Sequence, residues 1–327
     1  MSPAGEVLAN EISGSGPVSF RRFMEVALYH PEFGYYRKPH DPFGREGDFF
    51  TAEQLQPVFG LLAAARVRQL YRALGEPPDF TVVELGAGRC EMAAAFGEWR
   101  YVPLDIGSGE LPQKFRGVVF SNEFFDALPV DVAIAAGGHW RERCVAWRDG
   151  RFCWETGAPV SEAAARYLAA FGPPPEEGRV AEINLAALDW LERIGQSLDS
   201  GYILTIDYGY RRAELARFPA GTLMSYRRHT AVDDVLASPG ERDITAHVNF
   251  TALQEHGACH GLETERFETL AQMLLEAGEA DQFAAALAAA DSREVLRRRM
   301  QLKTLLFGMG ETFRVLIQRR AAHFKRA

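Results

Sequence analysis

The chain has 327 residues, 47% hydrophobic and 24% charged, which suits one large α/β domain with additions or two small domains. Its net charge of −8 excludes a primary nucleic-acid binder, and no apolar run approaches membrane-spanning length. Cys90, Cys144, Cys153 and Cys259 show neither Cys-x-x-Cys pairing nor a histidine at zinc spacing, so no metal site is expected.

In chain order, Phe20 to Leu28 has helical spacing and runs into the aromatic turn Tyr29-His30-Pro31-Glu32-Phe33-Gly34-Tyr35-Tyr36. A polar, glycine-bracketed loop, residues 44–51, precedes a helix expected from Glu53 to Leu74. The chain then reads as a buried strand from Phe80 to Leu85, a glycine turn, a helix from Glu91 to Phe96, and a strand from Tyr101 to Asp105 weakened by Pro103. Too few residues separate Asp105 from the apolar strand Gly117 to Ser121 for a full helix–strand crossover, so one crossover is expected to be truncated. Alternation from His139 to Glu155 around Asp149-Gly150 predicts a hairpin, across which Cys144 and Cys153 could face each other as reduced thiols. Helices are expected at Glu162 to Phe171 and Leu185 to Leu198, followed by a buried strand from Tyr202 to Ile206. After a strand-like Thr222 to Tyr226 come helices at Thr251 to His256, Glu268 to Glu276 and Asp281 to Met300, then a strand at Thr312 to Gln318. Residues 1–78 therefore read as an N-terminal helical and loop section covering the site, and 79–327 as the main domain with insertions near 132–178 and 208–245. The N-terminus shows no charged-then-apolar signal pattern, and Glu6 and Glu11 disfavour a mitochondrial presequence, so a cytoplasmic location is expected.

The most informative stretch is Glu84-Leu85-Gly86-Ala87-Gly88. A strand that ends in such a turn lets backbone approach a ligand closely. Nucleotide dehydrogenases and S-adenosylmethionine (SAM) methyltransferases both use this device. A dinucleotide fingerprint would need glycine where this chain has Glu91, and Glu84 suits a ligand bearing an ammonium and a sulfonium, so the balance favours SAM. Asp105, about 20 residues on, stands where ribose hydroxyls are usually gripped. It also reads as a plain turn residue before Gly107 and Ser108.

Several motifs then carry a resemblance through nearly the whole chain, from Phe20 to Arg319. They are the aromatic turn at 28–36, Gly47-Asp48-Phe49-Phe50-Thr51 with Phe59-Gly60, Val83-Glu84-Leu85-Gly86-Ala87-Gly88-Arg89, and Asn122-Glu123-Phe124-Phe125-Asp126-Ala127-Leu128-Pro129. Ile206-Asp207-Tyr208-Gly209, Gly221-Thr222-Leu223 with Tyr226 and His229, residues 243–250, and Met309-Gly310-Glu311-Thr312-Phe313 follow in order. This set resembles the MidA-type SAM-dependent methyltransferases, a family that includes a mitochondrial complex I assembly-factor protein arginine methyltransferase. The resemblance implies an α/β, Rossmann-like class I methyltransferase fold with an N-terminal extension and inserted hairpin and helical segments. It also implies SAM as methyl donor and a protein arginine as acceptor. The chain departs from the family in three places: Cys90 stands at a usual third glycine, the middle section is short, and a glutamine near Glu265 is missing.

On this reading the SAM-binding candidates are Asp48, Thr51, Glu84, Gly86, Ala87, Gly88, Asp105 and Asn122. The acceptor-side candidates are Glu123, Asp126, Asp207, His229 and His247. Glu123 is the chosen guanidinium anchor, because an arginine acceptor needs a carboxylate that pairs with it bidentately. The expected partner is a protein substrate with a target arginine, without nucleic acid or membrane, and a homodimer is compatible with the sequence. Competing readings are SAM chemistry on a non-arginine or small-molecule acceptor, and a non-catalytic assembly factor on the same fold.

Overall fold

The structure, a computed structural model, describes residues 1–37, 52–227, 230–232 and 234–322. The chain divides into two compact units, each drawn from three separate stretches. Met1–Phe50, Phe125–Asp189 and Tyr210–Ala252 make the first, and Thr51–Phe124, Trp190–Gly209 and Leu253–Ala327 the second. The division expected at 78/79 falls inside the second unit, while the expected insertions fall in the first, apart from Tyr208 and Gly209.

The second unit is built on a sheet whose strands include β1 (Thr81–Leu85), β2 (Arg100–Leu104) and β3 (Phe115–Asn122). Along its main path the order is Glu263–Thr269, Phe313–Arg320, Leu198–Tyr210, β3, β1, β2. β1 is parallel to both neighbours, and β3 is parallel to Leu198–Tyr210. Phe313–Arg320 runs antiparallel to Leu198–Tyr210. Such strands are covered on both faces, which is why β1 is apolar apart from Thr81 at its start and Glu84 near its end. Gly117 is required where three strands meet closely, since a Cβ there would lie 1.8 Å from the carbonyl oxygen of Thr81. Pro103 is tolerated because β2 ends the path, so its missing N–H breaks no interior ladder.

One face of this sheet, carrying Val82, Phe120, Leu204, Ile206 and Val315, packs on Phe59, Leu62, Val67 and Leu70 of the helix Val58–Ala73. That helix starts later than the expected Glu53. Pro57 caps it, and Glu53 lies in a separate 3₁₀ turn, Ala52–Gln54.

Three other expectations are corrected here. No helix forms over Glu91 to Phe96. Gly86, Gly88 and Cys90 all take positive φ (70°, 48° and 58°), and the chain continues as turns with bonds such as Ala93 N–H to Cys90 O at 3.0 Å. The helix expected over Asp281 to Met300 is broken into Ala284–Leu287 and Ser292–Lys303, because Asp291 accepts from the Glu294 amide at 2.8 Å and caps the second piece. Glu268 belongs to the strand Glu263–Thr269, since Thr269 and Gln272 form a capping box that starts the helix at Leu270. The truncated crossover is as expected, with no helix between β2 and β3.

The first unit holds the helices Pro3–Ser15 and Phe20–Tyr29 and two antiparallel sheets. The larger orders its strands Arg151–Pro159, His139–Arg148, Asp131–Ala136, Val180–Ile183. The expected hairpin is present, with Asp149 and Gly150 at φ 50° and 76° as a twisted two-residue turn demands. Cys144 stands opposite Glu155 and Cys153 opposite Ala146, so the two cysteines are diagonal neighbours, and both are free thiols. Phe20, Phe23, Met24 and Leu28 form the buried stripe of their helix and pack with Val132, Val145 and Ile244.

Candidate functional site

Parallel strands of an open α/β sheet end where ligands bind, and the ends of β1 and β3 concentrate the unusual chemistry of the second unit. Glu84 is fully buried at the end of β1. Its Oε2 accepts from the Tyr101 hydroxyl, and its Oε1 receives no amide, hydroxyl or cationic donor among the described residues. Burial is the main cause pushing this carboxyl up to about 7, against the Tyr101 hydrogen bond, which pulls it down. Gly86 follows with φ 70°, and a Cβ there would meet Phe124 Cδ2 at 3.0 Å. Ala87 donates its amide hydrogen to Leu104 O at 3.0 Å, which ties the glycine turn to the end of β2.

At that end, Asp105 is exposed and closes a tight turn through paired 3.0 Å backbone bonds with Ser108. Its Oδ1 accepts from the Ile106 amide at 2.7 Å. The turn reading is therefore real, and it leaves the carboxylate beside the glycine turn.

Asn122 ends β3 on the same sheet face as Glu84, since Glu84 pairs with Phe120 two residues earlier. It is 5% exposed, donates from Nδ2 to Glu123 Oε1 at 3.1 Å, and has an Oδ1 without a donor among the described residues. Glu123 itself has φ 53° and donates its amide to Ile206 O at 2.9 Å, so the chain turns sharply off the sheet there. Asp207 is fully buried but aligns with the opposite face, because Ile206 is the residue paired with Asn122. The structure thus gathers Glu84, Gly86, Ala87, Gly88, Asn122 and Glu123, with Asp105 alongside, and leaves Asp207 out.

Two candidates belong to the first unit. Asp126 is 4% exposed, and its carbonyl accepts from the Ala246 amide at 3.0 Å. His247 places Nδ1 2.9 Å from Thr222 O, so that nitrogen carries the proton, and its ring stacks on Tyr210 at 5.3 Å. It lines a small cavity with Glu182, Asn184, Thr222 and Asn249. Asp48, Thr51 and His229 lie outside the described residues.

Two residues at the site went unread in the sequence. Tyr101 looked like an ordinary strand residue. Glu53 looked like the opening of a helix, yet it is 8% exposed, and burial, followed by the charges of Glu84, Glu123 and Glu91, holds its carboxyl well above the usual range. Pro57 was the available signal that the helix could not start so early.

The residues present fit SAM. Unpartnered buried oxygens on Glu84 and Asn122 are acceptors waiting for donors, and positive-φ glycines leave space beside them. The described residues include no helix long and apolar enough to cross a membrane and no cluster suited to a metal ion.

Comparison with known proteins agrees with this geometry. A family profile for S-adenosyl-L-methionine-dependent methyltransferases matches residues 98–268. A Burkholderia thailandensis protein crystallised with S-adenosyl-homocysteine is 31% identical, with a TM-score of 0.82 over 98% of this chain and 92% of that one. Among curated relatives, the mitochondrial protein arginine methyltransferase NDUFAF7 homolog of Drosophila melanogaster is 28% identical over 78% of this chain and 70% of its own length. The human NDUFAF7, also mitochondrial, is 25% identical over 78% and 68%. The expectation of a cytoplasmic location is overturned by these relatives, which are mitochondrial proteins. The acidic N-terminal segment was therefore a poor guide to compartment. With its fold, its glycine turn and its relatives in agreement, this chain belongs to the MidA-type family of SAM-dependent methyltransferases, enzymes of Rossmann-like α/β fold.

Proposed function

We propose that the chain is a protein arginine N-methyltransferase acting on a partner protein. The observation that carries this reading is the likeness to curated relatives named as protein arginine methyltransferases, 28% identical in the Drosophila case over 78% of this chain. SAM supplies an electrophilic methyl group, so the chain's own task is to bind, orient and exclude water. Glu84, the turn Gly86–Gly88, Asp105 and Asn122 are the residues assigned to hold it. Glu123 is assigned to the acceptor: it leaves the carboxyl end of β3 beside Asn122, and a carboxylate there can take a guanidinium as a two-bond partner and aim one nitrogen. Asp126, Asp207, His229 and His247 remain acceptor-side candidates without an assigned step.

The test is transfer of radiolabelled methyl from SAM into a lysate of a deletion strain, with mass spectrometry to locate the label. Label on arginine of a protein is the expected result. Label on lysine, a carboxylate or a small molecule would overturn the arginine assignment, and absence of label from a protein that binds SAM would favour a non-catalytic assembly role.

A further inference from the structure

In the second unit, the helix Ser292–Lys303 is prolonged by the π-helical turn Thr304–Met309. The inward side of this pair is fixed. Gln301 is buried and donates from Nε2 to Gln56 O at 2.6 Å, and Leu305 enters the core. The outward side is apolar where a surface helix is normally polar: Leu296 is 62% exposed, Met300 57% and Phe307 80%. At about 100° per residue, Met300 stands one turn beyond Leu296 and Phe307 about two turns further, so the three form one row. Arg293 and Arg299, three residues to either side of Leu296, flank the row, and Lys303 lies within it, all exposed. Among the described residues none of these three cations has a carboxylate partner, whereas Arg297 and Arg298 share Glu294. The helix thus carries five basic residues and one acid in a chain of net charge −8. Asp291 and Glu311, the next acids along the chain, lie beyond its two ends.

We propose that Leu296, Met300 and Phe307, with Arg293, Arg299 and Lys303 around them, seat the protein on an anionic lipid surface. The apolar tips enter the boundary between headgroups and acyl chains, and the guanidinium and ammonium heads reach the phosphates. The charges of the site and of the surface are complementary, and each cation adds to the attraction within a Debye length of the bilayer. A second copy docked about a twofold axis would set two basic patches face to face, with no acid inside either to pair them. A rigid protein partner would need a pocket matched to each of three separate tips, whereas a fluid layer needs none. The absence of a spanning helix among the described residues has no bearing on a surface contact.

The experiment is co-sedimentation of the full chain with large vesicles of phosphatidylglycerol and phosphatidylcholine in equal parts, and with phosphatidylcholine alone. Wild type is expected to partition onto the anionic vesicles at least about tenfold better, and to lose most of that gain between about 50 mM and about 500 mM salt. Two triple variants separate the contributions. Leu296→Ser with Met300→Ser and Phe307→Ser, and Arg293→Gln with Arg299→Gln and Lys303→Gln, should each bind the anionic vesicles about tenfold less well or worse. All six side chains are exposed, so both variants should keep the circular dichroism and melting temperature of wild type. Phe307→Trp sets a reporter in the row, and its emission, taken as the difference from wild type, should move to the blue on anionic vesicles only. Wild type that stays in solution, triple variants that bind as well as wild type, or an unmoved emission would each overturn the proposal. Sedimentation velocity without lipid tests the other occupant: a dimer that the apolar variant abolishes would give the row to a second copy and overturn the proposal as well.

Discussion

Tyr101 reaches across from β2 to donate its hydroxyl hydrogen to Oε2 of Glu84 on β1. The register pairs Glu84 with Pro103 and Val82 with Tyr101, so the tyrosine lies diagonally behind the carboxyl on the same face. This bond opposes the burial that raises Glu84. Tyr101→Phe should therefore move Glu84 above about 7 and weaken S-adenosylhomocysteine binding at neutral pH by roughly tenfold, about the value of one hydrogen bond to a charged group. Raising the pH should recover part of the loss. Calorimetry at pH 6.5 and 8.5 checks both, and unchanged affinity at both would show the hydroxyl to be irrelevant.

Gly86→Val should abolish cofactor binding in a protein that stays folded. At φ 70° a β-branched residue is strained, and its Cβ would already stand 3.0 Å from Phe124. Circular dichroism should be native, with affinity down by more than about a hundredfold, some 3 kcal/mol. A folded variant with normal affinity would remove the glycine turn from the site.

Cys90→Gly should stabilise the protein and tighten cofactor binding modestly. Cys90 holds φ 58°, which costs an L-residue roughly 1–2 kcal/mol. Glycine takes back about 0.5–1 kcal/mol through the freedom it restores to the unfolded chain. With no helix at this point, glycine carries no helix penalty, and a net gain of about 0.5–1 kcal/mol is left. Denaturant midpoints and calorimetry measure it. Lower stability in the variant would show that this turn has adapted to cysteine.

Glu53→Gln should change how stability depends on pH. Both Glu53 and Glu84 titrate above their ordinary 4.5 in the fold, chiefly through burial. Below about pH 4.5 both states hold the protons and nothing is gained or lost. As pH rises towards about 7 the unfolded chain releases them first, so the fold loses stability relative to it. Wild type should therefore melt lower at pH 8 than at pH 5. Glu53→Gln, which removes one of the two raised groups, should lose less. Parallel melting curves at the two pH values decide it, and identical pH dependence would show that Glu53 does not titrate above its ordinary range.

Glu123→Gln keeps shape and volume but removes the charge that makes a guanidinium pair strong. Cofactor affinity should survive, whereas methyl transfer to arginine should fall by roughly two orders of magnitude, the loss of one charge-assisted positioning contact. Single-turnover transfer assays, run beside calorimetry, separate the two effects. Equal transfer rates would return the anchor role to another acid.

Periodicity and turn chemistry made much of this protein readable in one dimension. β1 appeared as an apolar run ending in Gly86 and Gly88, and Asp149-Gly150 marked its hairpin, because these signals depend on neighbours a few residues apart. The motifs shared with a known family carried the fold and the cofactor. Tertiary contacts decided the rest. Positive φ at Gly86, Gly88 and Cys90, every second residue, replaced the expected helix after Gly88 with turns, and a local cap at Asp291 overrode the helix preference of the alanine run. Asp207 read in the sequence as an acceptor-side acid at a strand end, but register put it on the sheet face opposite Asn122 and Glu84. Glu53, 31 residues before Glu84 in the numbering, is a buried acid only because the fold covers its turn. Burial sets the charge of a carboxyl, and burial is a property of what the fold brings near, which no local pattern records.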